Sequence, residues 1–276
     1  MRENQNQSKL LEIEQILSSF EAEHGFTILY AAEAGSRCWG MHSEDSDYDV
    51  RFVFIYPDHH YLQLDEPKDY VGNITKYSAM HGQPIDASGW DIRKSLRLLR
   101  KSNASLVEWL MSPIRYRDWH LRFRDEVLRS VRTHLGLGRL AHHYLGLAQG
   151  HTKSYLDPEH KDQSLKKVLY TIRCFLAARY ILDRREMPPV NFVELTFEVA
   201  TPISKWARQL ITMKQSGSEI DTIPTASVGD LFHIDYHLLH NRARRILDQV
   251  YPQAELERLF AYSRWAVTQI PIGEMT

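Results

Sequence analysis

The sequence has little of what marks exported, membrane-bound or low-complexity chains. Its 276 residues contain two cysteines, Cys38 and Cys174, too few for a disulfide framework and without the spacing of a thiolate metal site. A reduced, cytoplasmic setting is the expectation. No uninterrupted apolar run approaches the roughly 20 residues that a membrane helix needs. The start, Met1-Arg2-Glu3-Asn4-Gln5-Asn6-Gln7, is polar and lacks an apolar signal core, so neither export by the usual route nor a membrane span is expected. An excess of one charge is also missing: 34 Lys+Arg face 35 Asp+Glu, a formal net charge of -1. A nucleic-acid partner would therefore have to be met by a local patch. There is no internal repeat and no low-complexity tract, and 43% hydrophobic with 25% charged residues is an ordinary globular composition.

What is present is organised around residues 35–52. The apolar run Phe26-Thr27-Ile28-Leu29-Tyr30-Ala31-Ala32 reads as a buried strand, and Val50-Arg51-Phe52-Val53-Phe54-Ile55-Tyr56 as a second. Between them, Gly35-Ser36 stands where the first strand ends, and Asp47 and Asp49 stand where the second begins. Two residues apart on an extended backbone, the two carboxylates project from one face. Anions held side by side repel and raise one another's pKa unless a cation lies between them. A hard divalent ion with oxygen ligands, Mg²⁺ first, suits that position and commonly shares its shell with substrate phosphates. The glycine lets backbone N–H groups approach such phosphates. A later strand, Pro84-Ile85-Asp86-Ala87, places Asp86 between two apolar residues, facing away from them.

The rest reads mainly as helix. Leu10, Leu11, Ile13, Ile16, Leu17 and Phe20 give a first helix before Gly25, and Tyr61 to Leu64 suggests a short extra strand. From Asp91, an apolar stripe of Ile92, Leu96 and Leu99 runs opposite Arg93, Arg97 and Arg100, with Lys94 and Lys101 alongside. Beyond Ser112-Pro113 the β-type alternation disappears, and helices are expected over 121–133, 137–156, 163–182, 203–214, 231–250 and 254–266. His233, His237 and His240 carry a chelating spacing, but no acidic or cysteine partner joins them, so a packed or solvent-facing stripe is expected. Cys174 sits among apolar helix residues and reads as core. Ser36 has no base at nucleophile-elbow spacing, which argues against covalent hydrolase chemistry.

Gly35-Ser36, then Asp47-x-Asp49, then Asp86 in a later strand resemble the DNA-polymerase-β-like nucleotidyltransferase superfamily, and Gly35-Ser36-Arg37-Cys38-Trp39-Gly40, Ser46-Asp47-Tyr48-Asp49-Val50-Arg51 and Gly89-Trp90-Asp91-Ile92-Arg93-Lys94 extend the likeness. More narrowly, they are similar to its RNA-repair-associated RlaP-type branch. The likeness continues through Lys101 to Leu110, Tyr144 to Ala148 and Lys166 to Arg173. It implies an α/β (α+β) architecture: a small mixed sheet with flanking helices over 1–113, then an all-helical domain over 114–276 that closes over a nucleotide. It implies transfer of a nucleoside monophosphate from a triphosphate to an acceptor hydroxyl. Two Mg²⁺ ions, with Mn²⁺ as the alternative, would be held by Asp47, Asp49 and Asp86, the last also a candidate proton acceptor.

Gly35, Ser36, Arg37, Arg51, Lys166, Lys167, Tyr170 and Arg173 are the candidate nucleotide-binding residues. Arg51 is equally a candidate structural partner for the aspartates. Lys166, Tyr170 and Arg173 fall at helical spacing on one face. The Arg93/Arg97/Arg100 stripe is a candidate RNA track, against the commoner solvated face, and Trp39 and Trp90 are either base-stacking or packing residues. The acceptor expected is RNA; a protein or small-molecule acceptor, or a non-catalytic nucleotide- or RNA-binding module, are the alternatives.

Overall fold

In a computed structural model, residues 2–75, 83–118, 120, 122–155, 162–217, 222–224 and 228–268 are described. The chain opens on α1 (Arg2–His24) and turns at Gly25, whose φ of 71° is left-handed. Strand β1 (Thr27–Glu33), the single turn α2 (Gly35–Cys38) and strand β2 (Tyr48–Ile55) follow as the sequence predicts. After a 3-10 turn over Asp58–Leu62 come β3 (Tyr70–Thr75), β4 (Ile85–Asp91), α3 (Ile92–Arg100), α4 (Ala104–Met111) and β5 (Arg115–Arg117). The remainder holds α5 (Phe123–His134), α6 (Leu137–Tyr155), β6 (Asp162–Ser164), α7 (Leu165–Arg184), α8 (Phe192–Glu198) and α9 (Pro202–Ser216). It ends with β7 (Thr222–Pro224), α10 (Val228–Arg244) and α11 (Gln253–Thr268). Among the described residues no helix is long and apolar enough to cross a membrane.

Five strands form one sheet in the order β3-β4-β2-β1-β5, with β2 and β4 parallel and every other pair antiparallel. The pleat sorts its side chains by parity. Val50, Phe52 and Phe54 of β2 join Ile85 and Ala87 of β4 and Ile28 of β1 under Ile13, Leu17 and Phe20 of α1. Residues of opposite parity, Val53 and Ile55, pack with Leu29, Tyr30 and Ala32 against α3, α4, α5 and α11. A register shift between Ile28 and Tyr30 lets Leu29 and Tyr30 enter the same cluster. A third cluster is built from α6 to α10, and Met41 and Ala104 reach into it from the sheet half.

Several expectations are corrected. Tyr61 to Leu64 is not a strand: Tyr61 closes a turn, its hydroxyl accepting from the Tyr56 N–H and donating to Asp91. The sheet extends past Pro113, because β5 pairs with β1 through Ala31↔Arg117 and Ala32↔Arg115. Three residues rich in arginine show no alternation to detect. Helix α10 ends at Arg244, short of the expected Val250. Asp91 is the N-cap of α3, accepting from the Arg93 N–H, rather than its first residue.

Candidate active site

The site is laid out by the sheet register. In the parallel pairing of β2 and β4, Asp49 lies directly beside Asp86, and neighbours in register project to the same side. Asp47 immediately precedes β2, close enough that its charge acts on the Asp49 carboxyl. The side shared by Asp49 and Asp86 is the face of Val53, Ile55 and Trp90, which are covered by helices further along the strands. The carboxylates stand at the strands' beginnings.

Gly35 completes one wall. Its φ is 57°, and a Cβ built there would fall 1.9 Å from Asp49 Oδ2, so only glycine allows the carboxylate this approach. The Ala34 N–H donates to the Asp49 carbonyl, and the Asp49 N–H donates to Glu33 Oε1 at 2.8 Å. Arg37 donates to the carbonyls of Ser46 (2.7 Å) and Asp47 (3.0 Å) and lies 3.9 Å over the Tyr48 ring. It therefore shapes the loop that delivers Asp47.

The charges are interleaved. Arg51 donates through one terminal nitrogen to Asp49 Oδ1 at 3.0 Å and Asp86 Oδ2 at 2.8 Å, and through the other to the carbonyls of Val50 and Asp86. Lys166 Nζ lies 3.5 Å from Asp47 Oδ1. Burial raises the Asp49 pKa, with Asp47 and Asp86 adding to the effect and Arg51 and Lys166 opposing it. As the side chains stand, no three His, Cys, Asp or Glu residues among those described form a metal-holding group, because Arg51 sits between two of the carboxylates. The donor set nevertheless suits a hard cation. It is all oxygen, and Asp47 Oδ1 and Ser36 Oγ are buried without a hydrogen-bond partner.

Helix α7 divides its expected face. Lys166 reaches the carboxylates, Lys167 is exposed, and Tyr170 packs edge-on against Trp39 with centroids 4.8 Å apart. Arg173 departs from its expected role: it is 2% exposed and paired with Glu108 at 2.8 Å. Burial works against its charge, but the adjacent Glu108 carboxylate, with Tyr144 and Cys174 adding to it, outweighs this and raises the Arg173 pKa. Its guanidinium lies 4.0 Å over Trp39, whose indole N–H donates to Glu108 Oε2 at 3.0 Å. Trp39 is thus a packing residue here, as is Trp90, which lies 4.0 Å from the Trp109 ring.

The arginine stripe on α3 follows the far end of β4 and is partly compensated. Arg93 and Arg97 each approach Glu66 at 3.9 Å, Lys94 pairs with Asp69 at 2.9 Å, and Arg100 donates to Gln253 at 3.4 Å. The His233 side chain lies outside the described residues, while His240 packs its ring on His142 and Tyr236. Three residues were missed: Glu33, which anchors the Asp49 backbone, Glu108, which holds Arg173 and Trp39, and Tyr144, whose hydroxyl donates to Glu108. A glutamate inside an apolar run, as in Leu106-Val107-Glu108-Trp109-Leu110, was the available signal.

The model of the RlaP family, described as an RNA repair pathway DNA polymerase beta family, matches residues 11–261. An uncharacterized Bacillus subtilis (strain 168) protein, YcgL, is 36% identical over 208 residues, covering 74% of this chain and 76% of that protein. No solved structure matches. With its glycine turn, its clustered carboxylates at the start of β2 and on β4, and a family match that runs across both halves of the fold, the chain belongs to the RlaP family.

Proposed function

We propose that the protein is a metal-dependent nucleotidyltransferase that moves a nucleoside monophosphate from a nucleoside triphosphate to a hydroxyl of RNA. The observation that carries this reading is the Asp49↔Asp86 register, with Asp47 close enough to act on Asp49 and Gly35 against the Asp49 carboxylate. Mg²⁺, or Mn²⁺ in its place, would be held by Asp47, Asp49 and Asp86 as a pair of ions that acidify the acceptor hydroxyl and neutralise the triphosphate. The chain's own residues do the rest. The turn at Gly35 and Ser36 offers backbone donors to phosphate oxygens, and Arg51 and Lys166 supply positive charge beside them. Asp86, the more open of the register pair at 34% side-chain exposure, is assigned the acceptor proton. The acceptor oxygen bonds to the α-phosphorus, the bond from that phosphorus to the bridging oxygen breaks, and pyrophosphate leaves.

Arg93, Lys94 and Arg97 of the α3 stripe already have acidic partners, which weakens it as an RNA track and leaves a protein as the second acceptor class. Incorporation from each α-³²P-labelled nucleoside triphosphate, with Mg²⁺ or Mn²⁺ and with total RNA and soluble protein as acceptors, separates the readings. Label entering RNA and vanishing in the Asp47→Ala/Asp49→Ala variant is expected. Label in protein would change the acceptor. Nucleotide binding without any transfer would leave a binding module.

A further inference from the structure

Two cations of this chain occupy the carboxylates that the proposed function assigns to metal. Arg51 spans Asp49 and Asp86, and Lys166 faces Asp47. The Arg51 guanidinium is held in two different ways. One terminal nitrogen is fixed to backbone, donating to the carbonyls of Val50 at 3.1 Å and Asp86 at 2.7 Å. The other is given wholly to side-chain oxygens that belong to two different strands. Anchored through the sheet carbonyls, the guanidinium can release the carboxylates without leaving the site.

We infer that Arg51 is a built-in counter-ion: it neutralises Asp49 and Asp86 until a divalent cation arrives, and its freed nitrogen then turns to the substrate's phosphates. The inference rests on the metal reading above and deepens it. Without a cation, two adjacent carboxylates on a largely buried sheet face would repel, and Arg51 removes that repulsion. A divalent ion must displace the same hydrogen bonds, so metal alone binds weakly. A triphosphate gives the freed nitrogen an alternative anionic partner, so metal and phosphate assist one another's binding. The device couples occupancy by metal to the presence of substrate.

The test compares wild type with Arg51→Met and Arg51→Lys, using electron paramagnetic resonance of Mn²⁺ alone and calorimetry of inorganic tripolyphosphate without metal. Circular dichroism checks the fold. Arg51→Met is expected to bind Mn²⁺ about tenfold tighter and tripolyphosphate about tenfold more weakly, within the usual range of such couplings. If Arg51→Met does not fold, Arg51→Lys decides. A single ammonium cannot span two carboxylates while keeping both carbonyl anchors, so tighter Mn²⁺ binding is again expected, by about threefold. Mn²⁺ binding that is unchanged or weaker in the folded variants, yet lost in Asp47→Ala/Asp49→Ala, would overturn the counter-ion and leave the metal site standing. Mn²⁺ binding that is absent from wild type and from folded Arg51→Met alike, or that is indifferent to Asp47→Ala/Asp49→Ala, would overturn both.

Discussion

Glu33 ends β1 with its side chain fully buried, one oxygen accepting the Asp49 N–H and the other the Tyr116 hydroxyl. Burial pushes its carboxyl from 4.5 up to about 7. The folded state therefore keeps a proton that the unfolded chain releases above its lower pKa. Stability from this group is complete below about 4.5, falls as pH rises through the window, and is gone above about 7. At 1.36 kcal/mol per unit, the loss is about 3 kcal/mol. Glu33→Gln removes the titration while its amide oxygen can still accept from Asp49. Urea unfolding at pH 5 and pH 8 is expected to show a steeper fall for wild type than for Glu33→Gln; equal falls would exclude Glu33 as the cause. No sequence signal pointed to this residue, because its role comes from a cross-strand pairing with Val50. The aspartates at the start of β2 were legible because they are two apart in the sequence. Their placement beside Asp86 required the register.

Among the elements, α7 shows best what periodicity can and cannot say. Spacing gave the helix and put Lys166, Tyr170 and Arg173 on one face, yet that face crosses from the carboxylates into the core. Glu108 on α4 draws Arg173 inward and collects the Tyr144 hydroxyl at 2.5 Å and the Trp39 indole N–H at 3.0 Å. A single carboxylate thus ties α4 to α6, α7 and the turn that follows α2. Glu108→Gln keeps the shape but leaves the Arg173 charge buried without its counter-charge, which destabilises by about 3–5 kcal/mol. In Glu108→Gln/Arg173→Met the stranded charge is gone, and much of that loss is expected to return. Urea midpoints of the single and double variants measure this. A double variant no more stable than Glu108→Gln would mean that the hydrogen bonds to Trp39 and Tyr144, rather than the charge, dominate. Contacts of this kind link positions 39, 108, 144 and 173, and no local pattern in the sequence connects them.

The whole molecule follows the predicted order, a mixed α/β half and then a mainly helical half, but the expected all-helical span 114–276 also holds β5, β6 and β7, and the cores do not divide at Pro113. Phe123, Val127 and Leu128 of α5, and Leu256 and Leu259 of α11, share one apolar cluster with Leu29, Val53 and Ile55 of the sheet. In the other direction, Met41 and Ala104 are buried with α6, α7 and α9. The last helix therefore closes the first half, and sequence reading missed this because amphipathic helices show an apolar face without showing what covers it. Two interlocked clusters should melt together. Thermal unfolding followed by far-UV circular dichroism and by tryptophan fluorescence is expected to give one coincident transition. Leu259→Ala, at the end of the chain, should destabilise by about 2–5 kcal/mol and lower both signals equally. Were the helical half an independent unit, the signals would separate, and Leu259→Ala would shift one and spare the other.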